Sequence, residues 1–261
     1  MGEYLKLTVD GPVANVTMAR PDVHNAFSEH LITQLHDAFR SLGEDDSVRV
    51  VVLTGEGKSF SAGADLDWMR RAASFSQEEN VRDAAAAAAL WRAVSECPKP
   101  VVARVHGNAF GGGAGLVAAS DIAIAAENAM FGFTEVRLGL LPATVAPHVV
   151  EKIGPGRALS LFLTGERFDA QRALAIGLVH QVVPPEQLDV AVGAIVDQLF
   201  AGGPNALRAC KELVRRVAYP DRAKIDEYTA SLIASARAGD EGREGVGAFL
   251  EKRKPGWVGG P

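Results

Sequence analysis

The chain opens on alternation. In "YLKLTVDGPVANVTMARP" polar and apolar positions trade places on both sides of Asp10-Gly11, the period-2 pattern of two half-buried strands joined as a hairpin. The period then lengthens: "SEHLITQLHDAFRSL" repeats its apolar positions every three or four residues behind Ser28, which predicts a helix with a serine N-cap. Residues 48–55, "VRVVVLTG", are almost continuously β-branched, as in a strand covered on both faces. The alanine block "RDAAAAAALWRAV" predicts a helix over residues 82–94. A proline punctuates, and residues 101–105, "VVARV", restart the buried-strand pattern. After a glycine-rich stretch, a short helix of small residues leads to strands at 122–125 and 130–133. Strand, loop, helix and strand in succession are crossover units, so the expected core is α/β.

Beyond Pro155 helical patterns dominate: "DAQRALAIG", with Asp169 as cap and Gly177 just past the end, then "PEQLDVAVGAIVDQLF", "PNALRACKELVRRVA" and "DRAKIDEYTASLIASAR". The change of character divides the chain near residue 190, with an α/β core over 1–190 and a helical C-terminal part over 191–261. No sequence repeat of solenoid type and no low-complexity linker interrupts the 261 residues.

Composition then narrows the function classes. With 48% hydrophobic and 23% charged residues the chain is that of an ordinary globular protein, and a formal charge of −5 supplies no broad basic face for nucleic acid. The local pairs Arg215–Arg216 and Lys252–Lys254 are expected at solvated helix ends. No apolar run approaches the ~20 residues that span a bilayer, and "MGEYLKLTVDG" reads as a strand and not as a signal peptide. A cytoplasmic protein without a membrane partner is expected. Cys97 and Cys210 belong to no C-x-x-C pair and read as buried, reduced thiols.

Several motifs fail on inspection. "GKS" at 57–59 ends like a phosphate-binding loop, but the glycine required five positions before Gly57 is Val52. "GAGLVA" at 113–118 imitates a dinucleotide fingerprint, yet residues 106–112 separate it from its strand. There is no G-x-S-x-G elbow, and the six histidines have no metal-ligand spacing.

What remains are two strand ends rich in glycine and small residues, "FSAGAD" (60–65) and "FGGGAG" (110–115). Each can bring bare backbone N–H groups to a ligand, and the second opens a helix whose first N–H groups are unpaired. Two such donors aimed at one point make an oxyanion hole; the plainer alternative for each is a tight strand-to-helix turn.

In order and spacing, "FSAGADL", "HGNAFGGGAGLVAASDIAIA" and "MFGFTEVRLGLLP" resemble the crotonase (enoyl-CoA hydratase/isomerase) superfamily. The likeness runs from "RPDVHNAFS" through "LTGERFDAQRALAIGLVHQVVP" to "AFLEKRKPGW". It implies a spiral of ββα units with a helical C-terminal part, assembled as a homotrimer or dimer of trimers. It places the oxyanion donors on the N–H groups of Ala64 and Gly112, beside Gly111. It assigns coenzyme A binding to Val23, His24, Ala62, Asp65 and Leu66, with Arg20 and Lys252 as candidate phosphate cations. Met69, Leu116, Leu138 and Pro142 are candidate acyl-pocket residues. No cofactor is implied, since coenzyme A is part of the substrate, and no metal.

Family hydratases carry two glutamates. Here the second is Glu135, but the first position is Gly115. "EVRLGLLPATVAPHVV" resembles methylglutaconyl-CoA-type hydratases, which favours hydration of an enoyl-CoA, on a methylglutaconyl-CoA-like substrate. The alternative is a Δ3,Δ2-enoyl-CoA isomerase using Glu135 as its single base; a remoter one is an acyl-CoA-binding homologue without turnover. Thr144, Asp65 and Asp67 are the nearby side chains that can stand in for the missing glutamate.

Overall fold

The computed structural model of the chain describes residues 4–218 and 222–256. Strands β1 (Leu5–Asp10) and β2 (Val13–Met18) pair antiparallel with Asp10 opposite Val13, and Gly11 turns the chain at φ +53°. Ala14, Val16 and Met18 of β2 are buried, one in two as the alternation requires. Helix α1 (Glu29–Glu44) starts at Ser28, whose side chain accepts from the Leu31 N–H, and buries Leu31, Ile32, Leu35, Phe39 and Leu42.

A unit then repeats. β3 (Val50–Gly55) adds to a large sheet parallel to β2, β4 (Ser59–Ser61) begins a small second sheet, and α2 (Leu66–Ala72) and α3 (Gln77–Glu96) return the chain. β5 (Val101–Val105), β6 (Asn108–Phe110) and α4 (Gly112–Ala119) do the same, followed by β7 (Ile122–Ala126), β8 (Met130–Gly132), α5 (Ala146–Ile153) and α6 (Pro155–Thr164). β9 (Arg167–Asp169), α7 (Ala170–Ala175) and β10 (Gln181–Val183) complete sheets of order β1-β2-β3-β5-β7-β10 and β4-β6-β8-β9. Helices α8 (Leu188–Ala201), α9 (Pro204–Ala218), α10 (Arg222–Ala238) and α11 (Asp240–Leu250) end the described chain. Each ββα turn advances both sheets by one strand, so the α/β core is a spiral with a helical C-terminal part.

The β-branched runs are explained by cover on both faces. Val51 and Leu53 join the large interior cluster with residues of α1 and α3, while Val50 and Val52 face outward onto Leu188, Val192 and Val196 of α8. The sequence expectations differ from the structure at particular points. α3 begins at Gln77, ahead of the alanine block, because Ser76 and Glu79 close a reciprocal capping box. Strands β4, β6 and β9 have three residues each, too few for a periodic signal. Cys97 is buried but Cys210 is exposed, correcting the expectation that both are buried. The Arg216 side chain and Trp257 of the "AFLEKRKPGW" motif lie outside the described residues.

Candidate active site

β4 and β6 are parallel neighbours in the small sheet, with Ser59 opposite Asn108. The loops that follow them, residues 62–65 and Gly111, therefore leave the same edge. The first is threaded onto residues 24–27 by backbone bonds: Ala62 N to His24 O, Phe27 N to Gly63 O and Asp65 N to Phe27 O, each 2.8–2.9 Å. In this pattern Phe27 bridges Ala64 through the residues flanking it. The Ala64 N–H itself meets no backbone acceptor among the loop bonds of the described residues. Asn25, fully buried and at φ 54°, anchors the whole arrangement. Its Oδ1 accepts from Arg20 N, and its Nδ2 donates to Glu56 O and Ser59 O, both at 2.8 Å.

The second loop brings in α4. Gly111 has φ +50° and ψ −118°, a conformation for which glycine is nearly obligatory. A Cβ there would lie 3.1 Å from Oε1 of Glu135 and 3.8 Å from Gly63 Cα, so the bare backbone is also a matter of space. Gly112 is the first residue of α4, where the N–H has no intrahelical partner and carries the positive end of the helix dipole. Two backbone donors, Ala64 and Gly112, thus stand at adjoining loops in one cavity.

Glu135 opens a 3₁₀ turn, Glu135–Leu138, just past β8. Its Oε2 is shielded from solvent and has no hydrogen-bond partner among the described residues. Burial favours the neutral acid and pushes the pKa from 4.5 up to about 7. A carboxyl poised near neutrality both accepts and donates a proton readily. α11 packs against this turn backbone to backbone: a Cβ on Gly245 would fall 2.0 Å from Leu138 O, and one on Gly139 2.3 Å from Glu241 O.

Position 115 has no room for a side chain. A Cβ on Gly115 would lie 2.3 Å from Val145 Cγ1 and 2.7 Å from Trp91 Nε1. The space from which a second carboxylate would project is filled by a valine and an indole. Of the three stand-ins read from the sequence, Asp65 is committed: it caps α2 by accepting from Asp67 N and Trp68 N and pairs with Arg20 at 2.8 Å. Asp67 pairs with Arg70 at the surface. Thr144 lines the cavity next to Val145.

The cavity has a volume of about 920 Å³. Val23, His24, Ala62, Asp65 and Leu66 line it, and Met69, Leu138 and Pro142 also border it. His24 Nδ1 lies 3.1 Å from Ser59 Oγ. Leu116 does not reach the cavity; it is fully buried in the core. Arg20 lines the cavity with its guanidinium on Asp65 and 4.7 Å above the Tyr4 ring. Lys252 does not line it, whereas Arg253 does, held by Glu244 and Glu251.

Sequence reasoning missed Trp91, whose helix position gave no hint that it faces the cavity. It also missed Ile233, Val246 and Phe249, which line the cavity from α10 and α11. Among the described residues no cluster of histidine, cysteine and carboxylates is arranged for a metal, and no helix is long and apolar enough to cross a membrane.

Relatives carry the same architecture. A crystallised enoyl-CoA hydratase from Mycobacterium avium is 37% identical, with 99% of this chain and 100% of that one covered and a TM-score of 0.88. The crotonyl-CoA hydratase of Syntrophomonas wolfei is 33% identical over 98% of both chains. The trans-2-decenoyl-acyl-carrier-protein isomerase of Streptococcus mutans is 32% identical over 96% of both. The profile of the enoyl-CoA hydratase/isomerase family matches residues 8–260. With the paired glycine loops, the shielded Glu135 carboxyl and this match together, the chain belongs to the enoyl-CoA hydratase/isomerase family and is an enzyme of the crotonase fold.

Proposed function

We propose that the protein is an enoyl-CoA hydratase that works with Glu135 as its single carboxylate. The N–H groups of Ala64 and Gly112 hold the thioester oxygen. As water bonds to C3, one of its protons passes to Glu135 and the C2=C3 electron pair moves toward the thioester, leaving an enolate on that oxygen. Glu135 then returns the proton to C2 as the carbonyl reforms. The observation that carries this reading is the Glu135 carboxyl beside the Gly111 backbone, its pKa raised to about 7 and its Oε2 shielded and without a hydrogen-bond partner among the described residues. Val23, His24, Ala62, Asp65 and Leu66 bind the coenzyme A moiety, which is part of the substrate, and no separate cofactor takes part.

The acyl group we assign is methylglutaconyl-CoA-like. Arg137, Arg167 and Arg243 border the cavity and pair with no carboxylate among the described residues, so they are available to an acyl carboxylate. Assembly as a homotrimer or dimer of trimers in the cytoplasm completes the reading. Leu159 and Leu163, one turn apart on α6 and 58% and 68% exposed, suit burial in such an assembly.

The second reading, a Δ3,Δ2-enoyl-CoA isomerase, is favoured by one observation: the seat of the second carboxylate is filled by Val145 and Trp91. A single base suffices to move a proton from C2 to C4. The experiment offers the enzyme crotonyl-CoA and a 3-enoyl-CoA separately and follows the conjugated thioester absorbance. Loss of the band with crotonyl-CoA supports the hydratase. Appearance of the band with the 3-enoyl-CoA alone replaces it with the isomerase.

A further inference from the structure

The two donor loops are not independent. Phe27 threads the Ala64 loop through its own N–H and C=O, bonded to Gly63 O and Asp65 N. The ring of the same residue reaches across to α4: a Cβ on Gly112 would lie 3.1 Å from Phe27 Cδ2 and Cε2. Trp91, from α3, closes the triangle. Its indole N–H donates to Gly112 O at 3.1 Å, its Cζ2 would lie 2.9 Å from a Gly112 Cβ, and its ring sits 5.7 Å from that of Phe27, tilted by 54°.

We propose that Phe27 and Trp91 together set the separation and aim of the Ala64 and Gly112 N–H groups, with Trp91 as a positioning residue that position 115 admits only as glycine. Phe27 fixes one arm with its backbone and spaces the other with its ring. Trp91 ties the first turn of α4 by its peptide oxygen, from the side on which a residue at 115 would otherwise stand. The absence of a side chain at Gly115 and the presence of an indole on Gly112 are one arrangement. An alanine at 115 would meet Val145 and the indole nitrogen alike, so shortening Val145 alone does not restore the place of Trp91. A preorganised donor works because its dipole needs no reorganisation as charge develops on the oxygen; a slackened one loses that advantage while ground-state contacts to the rest of the ligand persist.

The inference rests on the assignment of Ala64 and Gly112 as oxyanion donors, and the test separates the two. An aryl-conjugated enoyl-CoA, absorbing at longer wavelength than the protein, is titrated into wild type, W91F and F27L, and the red shift of its bound band is read as the polarisation of the thioester carbonyl. W91F keeps an aromatic ring and removes the N–H; F27L keeps the backbone threading and shortens the spacer, and serves should W91F fail to fold. The expected result is a clear shift in wild type, a reduced shift in both variants, and kcat for enoyl-CoA turnover at least about tenfold lower, since complete loss of one oxyanion donor costs roughly 10²–10³. KM stays within about threefold. A wild-type shift that W91F and F27L reproduce in full, with unchanged kcat, overturns the positioning role alone. A wild type that binds the probe without any shift overturns the oxyanion assignment and this inference with it.

Discussion

Glu135 is held at a cost that pH reveals. Moving a carboxyl from its ordinary 4.5 to about 7, at about 1.4 kcal/mol for each pH unit, corresponds to about 3 kcal/mol of differential stability. The sign follows from linkage: the folded protein binds this proton more tightly than the unfolded chain. Below pH 4.5 both states are protonated and the site is fully stable. As pH rises through about 7 that contribution is lost, and above it the folded state carries a desolvated anion with no hydrogen-bond donor on Oε2. Glu135→Gln is isosteric with the neutral acid and does not ionise. The free energy of urea unfolding, taken for both proteins at fixed concentration from pH 5 to 8.5, should show Glu135→Gln gaining on wild type as pH rises. The gain approaches about 3 kcal/mol above pH 7.5. Other titrating groups are common to both proteins and cancel in the difference. A difference that stays flat across this range would refute the reasoning, because it would mean that the carboxylate is solvated.

The same group should govern catalysis: kcat/KM for hydration rises with pH through an apparent value near 7, as the carboxylate form accumulates, and initial rates from pH 5.5 to 8.5 read it directly. Gly111→Ala should destabilise the fold by about 1–3 kcal/mol through backbone strain and lower kcat, because its Cβ presses on Oε1 of Glu135; thermal melts and single-turnover rates check both. Asn25→Ala removes three hydrogen bonds from a fully buried node and should cost about 3 kcal/mol. It should also weaken acyl-CoA binding as residues 62–65 loosen, measurable by denaturation and by ligand titration.

Much of the fold was legible because its signals are local. The valine-rich strand at 101–105, the Ser28 cap and the Asp169–Gly177 helix bounds each follow from a few adjacent residues. Of the small sheet only the strand at 130–133 was legible, since β4, β6 and β9 are too short to leave a period, and it is the small sheet that aligns the two glycine loops. Leu116 was misread for a related reason. From Gly113 to Ala119 every residue of α4 is buried, and a helix apolar on all sides offers no face by which cavity and core can be told apart. Glu135 could be placed by resemblance, but its shielding depends on β8, α4 and α11 meeting from distant parts of the chain. The reason for Gly115 lies equally far away in sequence, in Trp91 and Val145.

The most direct test of the single-carboxylate account is the crotonyl-CoA hydration rate of wild type against Glu135→Gln, once the variant is found folded and able to bind acyl-CoA. General acid–base catalysis by one positioned group is worth roughly 10²–10⁴ in rate, and here one group makes both proton transfers. The account predicts rapid loss of the enoyl band in wild type and a kcat lower by at least about a hundredfold in the variant. A variant that hydrates crotonyl-CoA within about tenfold of wild type would contradict it, and the proton would have to be carried by another group in the cavity.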